Sequence, residues 1–270
     1  MKRSLIILSC ALILILIIHG GSAASGSLKS NNKTELQKPH LIAHAGGAIY
    51  GIRLTNSLQA LDNSYKHGFR HFELDIDWST DGIPVLVHDW TNTNWLADIR
   101  YSAEPHTYSE FQSMRGAMGI QFLDLDMLEA WLKEHKDAFI ITDVKSDNIK
   151  LLTLCKNRYP RLFKQTIAQI YAFDEYEKVK NLGYKDIILT FYKLTCSEAD
   201  IINFCKGKSL YALTMHQDKA TKAYIAKFAS LNIPIYIHAV NDYNVYVRSR
   251  DYGAYGAYTD YYMPDNWFEK

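Results

Sequence analysis

Residues 72–90 read FELDIDWSTDGIPVLVHDW, and this stretch decides the fold. It contains two apolar runs with strand character, separated only by the short segment WSTDGI, in which Asp81 and Gly82 form a typical turn pair. Because a parallel crossover needs about a dozen residues or more, the two runs must pair as an antiparallel hairpin. Folding about this turn predicts that His88 lies opposite Asp75.

The rest of the chain alternates short β-branched and aromatic runs with amphipathic stretches, a pattern typical of a parallel α/β architecture. If the return arm of the hairpin is counted as an excursion, eight parallel strands remain. This predicts a single (β/α)8 TIM barrel with an antiparallel hairpin excursion after strand 2, and a doubly wound open sheet is the alternative. The predicted strands are 41–46, 71–77, 84–88, 138–145, 166–171, 186–192, 209–215, 233–240 and 255–260.

The N-terminal segment has the composition of a secretory signal: two basic residues precede the apolar run 5–18, and small residues follow it. That run is shorter than the roughly 20 residues that span a bilayer. We therefore expect residues 1–24 to be a cleaved signal peptide, with an uncleaved anchor as the alternative. The mature protein would be secreted, periplasmic or at the cell surface, without a stable membrane span. Residues 25–38 are polar and predict a flexible linker to a domain over 39–270.

Composition excludes several classes of protein. A hydrophobic fraction of 48% and a charged fraction of 22% rule out a disordered chain and a polytopic membrane protein. Thirty Lys plus Arg stand against 29 Asp plus Glu, so no net field favours nucleic acid or an anionic membrane, and the partner must be identified from a site. After signal cleavage three cysteines remain, without metal-type spacing: Cys155, Cys196 and Cys205. They are expected to be buried and free, with a bridge between Cys196 and Cys205 as the alternative.

Polar side chains stand at the carboxyl ends of the first parallel strands, where the active site of such a barrel lies. Glu73 and Asp75 are two residues apart, so both carboxylates point to the same face of their strand. Such a pair needs a compensating cation or a shared proton. Oxygen ligands suit Ca²⁺ or Mg²⁺, and Asp143 from the neighbouring strand is the predicted third ligand. The side chains expected to converge on this rim are His44, Glu73, Asp75, His88, Asp143 and Lys145.

Six segments form an ordered series along the chain: IAHAGG (42–47), TNS (55–57), FELDIDWSTDGIPVLVHDW (72–90), ITDVK (141–145), IHAVN (237–241) and YGAYTDYYMP (255–264). In this order they resemble the glycerophosphodiester phosphodiesterase family, part of the phosphatidylinositol phospholipase C-like phosphodiesterase superfamily. The resemblance implies a (β/α)8 barrel that hydrolyses glycerophosphodiesters to sn-glycerol 3-phosphate and an alcohol with a divalent cation. It also implies that His44 and His88 are the acid and base, that Glu73 and Asp75 bind metal, and that Lys145 contacts phosphate.

The chain departs from the family pattern at three places. Ala45 stands where the family usually has Arg, Thr55 where it has Glu, and Asp143 where it has a third Glu. Arg53, in the loop after strand 1, is the candidate to replace the missing phosphate contact. The Asp-x-Lys pattern ending at Lys145 also resembles the sphingomyelinase D group, so a phospholipase D-like lipid enzyme is an alternative. A non-catalytic barrel that binds a phosphate ligand is another.

Residues 89–123 form a long aromatic excursion that begins beside His88. Two hypotheses apply to it. It could cover the mouth of the barrel as a lid that contacts the alcohol of the substrate, or it could be a small packed subdomain without a role in selectivity.

Overall fold

The computed structural model describes residues 38–98 and 102–261. The predicted signal peptide and nearly all of the predicted linker lie outside these residues. Within the described ranges the strands are β1 Leu41–Ala43, β2 His71–Trp78, β3 Pro84–Val85, β4 Phe139–Val144, β5 Thr166–Ile170, β6 Ile187–Thr190, β7 Ala212–His216, β8 Ile235–His238 and β9 Gly256–Thr259. The helices there are α1 Leu58–Lys66, α2 Trp90–Leu96, α3 Tyr108–Ser113, α4 Leu125–Glu134, α5 Asn148–Arg158, α6 Pro160–Gln165, α7 Glu175–Leu182, α8 Glu198–Cys205, α9 Lys222–Ala226 and α10 Tyr243–Asp251. Each predicted strand overlaps an observed one.

Eight of these strands form a closed ring of parallel pairs in the order β1, β2, β4, β5, β6, β7, β8 and β9. The ring closes at β1, where Ala43 pairs with Phe72 on one side and with Thr259 on the other. The predicted (β/α)8 barrel is therefore confirmed, and the doubly wound open sheet is wrong. Among the described residues, no helix combines the length and apolarity needed to cross a membrane.

The predicted hairpin is present, with β3 antiparallel to β2 outside the ring. The ladder consists of two pairs, Asp77 with Val85 and Trp78 with Pro84. Gly82 supplies the positive φ of the turn, at 77°, and its N–H donates to the carbonyl of Ser79. Asp81 is not among the residues with positive φ, and residues 79–83 form the loop, so the pair marks the turn without forming the two-residue type that Asp-Gly favours.

The predicted register of this hairpin was wrong. The observed pairs are offset by one residue from those expected, and the ladder ends at Val85, before it reaches His88. The reason lies in the returning chain of the excursion. The N–H of Leu86 donates to the carbonyl of Leu123, and Val85 forms a bridge with Asp124, so the segment leaves β2 for a new neighbour. His88 thus reaches the site through a loop rather than through strand pairing.

The side chains of strand β2 alternate between the hydrophobic core around the barrel and the interior of the ring. Phe72, Leu74 and Ile76 are fully buried in the main hydrophobic core, and the Phe72 ring packs edge-on against Trp131 of α4. Burial of such a side chain contributes roughly 1.5–3 kcal/mol to the free energy of folding. Successive strand residues alternate in direction, so the odd-numbered residues of β2 face the interior of the ring. This alternation directs the acidic pair inward.

The described part of the excursion has a hydrophobic core of its own. Its members are Val85, Val87, Trp90, Leu96, Phe111, Met114, Ile120 and Phe122. The segment also docks on the hairpin turn, because the backbone N–H of Thr80 donates to the carbonyl of His106. This second core supports the packed-subdomain hypothesis over the lid.

The three cysteines that the structure describes are all free. Cys155 and Cys205 are buried, as expected, and burial raises the pKa of the Cys155 thiol to about 12. Cys196 is exposed, so the expectation of burial was wrong for this residue, and the alternative bridge to Cys205 is not formed.

Candidate active site

A cavity of about 440 Å³ opens at the carboxyl end of the barrel strands, a size within the usual range of small-molecule sites. Six of the seven side chains predicted from sequence line it: His44, Glu73, Asp75, His88, Asp143 and Lys145. The seventh, Arg53, does not line the cavity. Of the part of the excursion that the structure describes, no residue from 89 onward lines the cavity either.

Glu73, Asp75 and Asp143 form an acidic cluster. One carboxylate oxygen from each lies within 4.8 Å of the others, since β2 and β4 pair with Asp75 directly beside Asp143. Glu73 and Asp75 are buried. Burial, together with the neighbouring Asp75 carboxylate, raises the pKa of Glu73 to about 8. The three carboxylates offer only oxygen donors, lie close together and are largely shielded from solvent. Such a donor set fits a hard divalent cation.

Asn56 fixes the position of Asp75. Its Nδ2 donates to Asp75 Oδ2 at 3.0 Å, and its Oδ1 accepts the backbone N–H of Asp75 at 2.9 Å. Asn56 is fully buried and has a left-handed backbone with φ 44°, a conformation that Asn tolerates better than most residues. The middle residue of the TNS segment is therefore a support for a carboxylate of the cluster, a role that the sequence analysis did not assign.

Lys145 is the counter-ion of the cluster. Its Nζ donates to Asp75 Oδ1 at 2.5 Å and to Asp143 Oδ2 at 2.8 Å. Burial disfavours the charged ammonium, but these two carboxylates outweigh it and raise the pKa of Lys145 above its usual value. The lysine is therefore charged and lies among the carboxylates of the acidic cluster.

Asp143 is held by two tyrosines that the sequence analysis missed. Its Oδ1 accepts from the hydroxyl of Tyr171 at 2.7 Å and from that of Tyr192 at 2.6 Å. The amide of Gln169 donates to the same oxygen at 3.2 Å. Burial opposes ionisation of Asp143, but Lys145 and these donors hold its pKa below the usual range. The carboxylate is therefore ionised and oriented by its neighbours.

His44 follows β1 and is oriented by Asp260, which follows β9. His44 Nδ1 lies 2.8 Å from Asp260 Oδ1, and Nε2 lies 3.8 Å from Glu73 Oε2. Asn241 in turn donates to Asp260 Oδ2 at 2.6 Å. Burial lowers the pKa of His44, but the hydrogen bond to Asp260 and the charges of the nearby carboxylates outweigh it and raise the pKa to about 9. Arg53 lies on this side, with Nη1 3.7 Å from Asp260 Oδ2 and half of its side chain exposed.

His88 lies across from His44, with 6.4 Å between the two ring centroids. Its Nδ1 lies 2.7 Å from Asp89 Oδ2, and the other oxygen of Asp89 caps α2 by accepting the N–H of Asn92. Each histidine therefore has one ring nitrogen paired with an aspartate. The pair flanks the cavity next to the acidic cluster.

Ala45, at the position of the missing arginine, contributes through its backbone. Its N–H donates to Glu73 Oε2 at 3.0 Å, and its φ of 49° and full burial leave no space for a long side chain toward solvent. The first predicted departure from the family pattern is thus a packed, left-handed position that holds a carboxylate of the acidic cluster.

The sequence analysis missed the other wall of the cavity, formed by Gln169, Thr190, Tyr192, Lys193, His216, His238 and Tyr258. Most of these residues stand at or just after the ends of β5 to β9. The rule that led to Glu73 and Asp75, polar side chains at the carboxyl ends of strands, applies equally to these later strands. Applied there, it would have selected Thr190, His216 and His238.

The closed parallel barrel brings an acidic cluster, two aspartate-paired histidines and a half-buried lysine together at the carboxyl end of its strands, an arrangement suited to hydrolysis of phosphoric diesters. Residues 44–263 match the model of the glycerophosphoryl diester phosphodiesterase family, and the chain belongs to that family. An uncharacterised protein of Mycoplasma genitalium is 25% identical over 224 residues, which cover 77% of this chain and 88% of that protein.

Two further relatives carry functional names. Human glycerophosphodiester phosphodiesterase 1 is 39% identical over 66 residues, which cover 22% of this chain and 19% of the human protein. Among solved structures, an Oleispira antarctica phosphodiesterase in complex with the product sn-glycerol-3-phosphate superposes with a TM-score of 0.64 at 17% identity. The match covers 85% of this chain and 95% of that one. The fold, the family and the enzyme class predicted from sequence are therefore confirmed.

Proposed function

We propose that the protein hydrolyses glycerophosphodiesters to sn-glycerol 3-phosphate and an alcohol, with one divalent cation, Ca²⁺ or Mg²⁺, and with His44 and His88 as the acid and base. The observation that carries this proposal is the meeting of three carboxylates and two histidines at one cavity. The sn-glycerol-3-phosphate bound to the Oleispira antarctica phosphodiesterase supports a product of that class.

Glu73, Asp75 and Asp143 would hold the cation, since their oxygens are the donors that Ca²⁺ and Mg²⁺ prefer. When bound, such an ion polarises a phosphoryl oxygen and offsets the charge that develops at phosphorus. Asn56 keeps Asp75 oriented, and the tyrosines that donate to Asp143 keep that carboxylate in place. With its carboxylate partners shared by the cation, Lys145 would offer a second positive contact to the phosphate.

His44 and His88 would divide the proton transfers. One takes the proton of the attacking hydroxyl and the other gives a proton to the leaving alkoxide, which requires them on separate sides of the phosphorus. Their ring centroids are 6.4 Å apart, and both rings face the cavity. The attacking group is the glycerol 2-hydroxyl, which would give a cyclic intermediate, or a water molecule. Asp260 and Asp89 hold the far nitrogens of the two rings.

The proposal includes the cellular location and the substrate. The signal-like segment 1–24 supports export to the periplasm, the cell surface or the medium, followed by cleavage. The substrate is a small glycerophosphodiester or another phospholipid-derived diester. Arg53 is proposed as a further phosphate contact only after it leaves Asp260, and replacement by Lys tests the role of its planar donor fork.

The experiment is product identification with purified protein. Glycerophosphocholine, glycerophosphoinositol and sphingomyelin are incubated with the enzyme, with and without chelator, and ³¹P NMR identifies the products. We expect metal-dependent release of sn-glycerol 3-phosphate and no turnover by Glu73→Gln. A cyclic phosphate from sphingomyelin alone would favour the phospholipase D-like alternative, to which the Asp143 and Lys145 pattern points. Binding without turnover of any diester would favour the non-catalytic barrel.

A further inference from the structure

The excursion of residues 89–123 has no role in the chemistry proposed above, although it begins directly after His88. None of its described residues lines the cavity, and its apolar side chains join Val85 and Val87 in a hydrophobic core separate from that of the barrel. His88 itself follows β3, which lies outside the ring. The position of the His88 ring therefore depends on what holds the loop that leads into the excursion.

The two proposed catalytic histidines differ in how they are supported. His44 follows β1 directly, and its partner Asp260 follows β9, so two paired strands of the ring hold this hydrogen bond. His88 lies on a loop, and loops place side chains less precisely than strands do. Because a displacement of about 1 Å can cost about 10²-fold in rate, His88 needs a second support to act in the same reaction as His44.

Asp89 connects the ring of His88 to helix α2. Its Oδ2 lies 2.7 Å from His88 Nδ1, and its Oδ1 accepts the backbone N–H of Asn92 at 2.7 Å. The carbonyl of Asp89 also accepts from Thr93, from the backbone N–H at 3.1 Å and from the hydroxyl at 3.0 Å. Because a single carboxylate makes both bonds, the first turn of α2 fixes the direction in which Asp89 presents its other oxygen to His88.

Helix α2 is in turn bonded to two elements of the barrel. Trp90 Nε1 donates to Asp77 Oδ2 on β2 at 3.1 Å, and Asn92 Nδ2 donates to the carbonyl of Leu54, in the loop between β1 and α1, at 3.0 Å. The buried Trp90 ring also packs edge-on against Phe111 in the core of the excursion. The helix is therefore held from three sides, by β2, by the loop after β1 and by the excursion.

We propose that the excursion is the support of His88, and that Trp90 and Asn92 are positioning residues that act on this histidine through α2 and Asp89. The inference rests on the proposed function, since it adds residues to the same reaction. It gives the excursion a role in proton transfer that requires no contact with the substrate.

The kinetic test uses Trp90→Phe, which keeps an aromatic ring in the core, and Asn92→Ala. Each variant loses one hydrogen bond to the barrel, and kcat on glycerophosphocholine at saturating cation should fall by about 3- to 10-fold. KM and the Kd of the cation should stay within about twofold of the wild type, because neither residue lines the cavity. In a His88→Ala background the same substitutions should change the residual kcat by less than about twofold, since their effect passes through His88.

Gln59→Ala is the matched control. Gln59 Nε2 donates to the carbonyl of Gly119 at 3.1 Å, and its Oε1 accepts the N–H of Gln121 at 2.9 Å, so this side-chain amide joins α1 to the excursion away from α2. The control should keep the wild-type kcat. Thermal melting tests the fold of each variant, and Asn92→Asp, which keeps the shape but loses the donor to Leu54, replaces Asn92→Ala if that protein unfolds.

Proton NMR separates this inference from the proposed function. The N–H of His88 that bonds Asp89 gives a downfield signal, assigned by its loss in His88→Ala. We expect the signal to shift or broaden in Trp90→Phe and Asn92→Ala and to stay unchanged in Gln59→Ala, whether or not the wild type hydrolyses a diester.

The outcomes distinguish the two ideas. This pattern of signals in a protein that hydrolyses no diester would refute the proposed function and support the positioning role. A wild-type signal and a wild-type kcat in both variants would overturn the inference. It would also be overturned by an equal loss of kcat in Gln59→Ala, by an equal loss in the His88→Ala background, or by a matching rise in the Kd of the cation.

Discussion

Replacement of Asp260 by Asn tests the orientation of His44 while almost preserving shape. Asp260 is buried, accepts from His44 Nδ1 at 2.8 Å and is itself held by Asn241. A hydrogen bond to a charged group contributes about 1.5–3 kcal/mol, and each 1.4 kcal/mol is a factor of ten. The variant should therefore lose about 10- to 150-fold in kcat/KM on a glycerophosphodiester. The metal affinity should not change, since Asp260 is not part of the acidic cluster.

The assay is steady-state hydrolysis at saturating cation, with metal titration by calorimetry and thermal melting as a test of folding. Asp137→Asn is the control, because Asp137 accepts hydrogen bonds from Tyr65 and Arg70 at an exposed position away from the cavity. A folded Asp260→Asn enzyme within threefold of the wild type would refute the reasoning. In that case Asp260 would only join β9 to β1, and His44 would be oriented by other means.

Three further predictions concern the metal, acid stability and the excursion. Excess chelator should abolish turnover, and Asp143→Asn should weaken cation binding several-fold or more by calorimetry; full activity in chelator would contradict the metal assignment. Burial lowers the pKa of His71 from 6.5 to about 4. Between these two pH values the unfolded chain binds a proton at His71 and the folded chain does not. The free energy of unfolding should therefore fall by about 3 kcal/mol as pH drops through this window, and His71→Gln should remove that share of the slope in acid titrations of denaturation. Phe111→Ala should cost about 3–5 kcal/mol in urea unfolding without changing the ranking of leaving alcohols, and a changed ranking would restore the lid hypothesis.

The sequence was sufficient for the barrel because its decisive signals are local. The segment between the two strands of the hairpin is too short for a crossover, and the alternation of β2 directs Glu73 and Asp75 to one face. Both inferences need only neighbouring residues. The register of the hairpin was wrong because a distant segment, the returning chain near Leu123, draws Leu86 away from β2.

The supports of the site were harder to predict, since they depend on contacts between distant parts of the chain. Asn56 reaches Asp75 through a left-handed backbone that its sequence position does not specify. Tyr171 and Tyr192 are two of nineteen tyrosines, and nothing in their local sequence distinguishes them from the others. Asp260 appeared in the sequence only as part of a resemblance, because its partner His44 lies 216 positions earlier.

The pairing of β1 with β9, which closes the ring, joins residues from the two ends of the barrel sequence. A growing chain acquires the residues of the acidic cluster by position 143, but Asp260 is synthesised much later and reaches His44 only when β9 docks beside β1. A chain that ends before Asp260 lacks the carboxylate that orients His44 even when it already contains Glu73, Asp75 and Asp143. Under the proposed mechanism, full hydrolytic competence therefore depends on ring closure, because β9 carries Asp260 to His44 only when it pairs with β1.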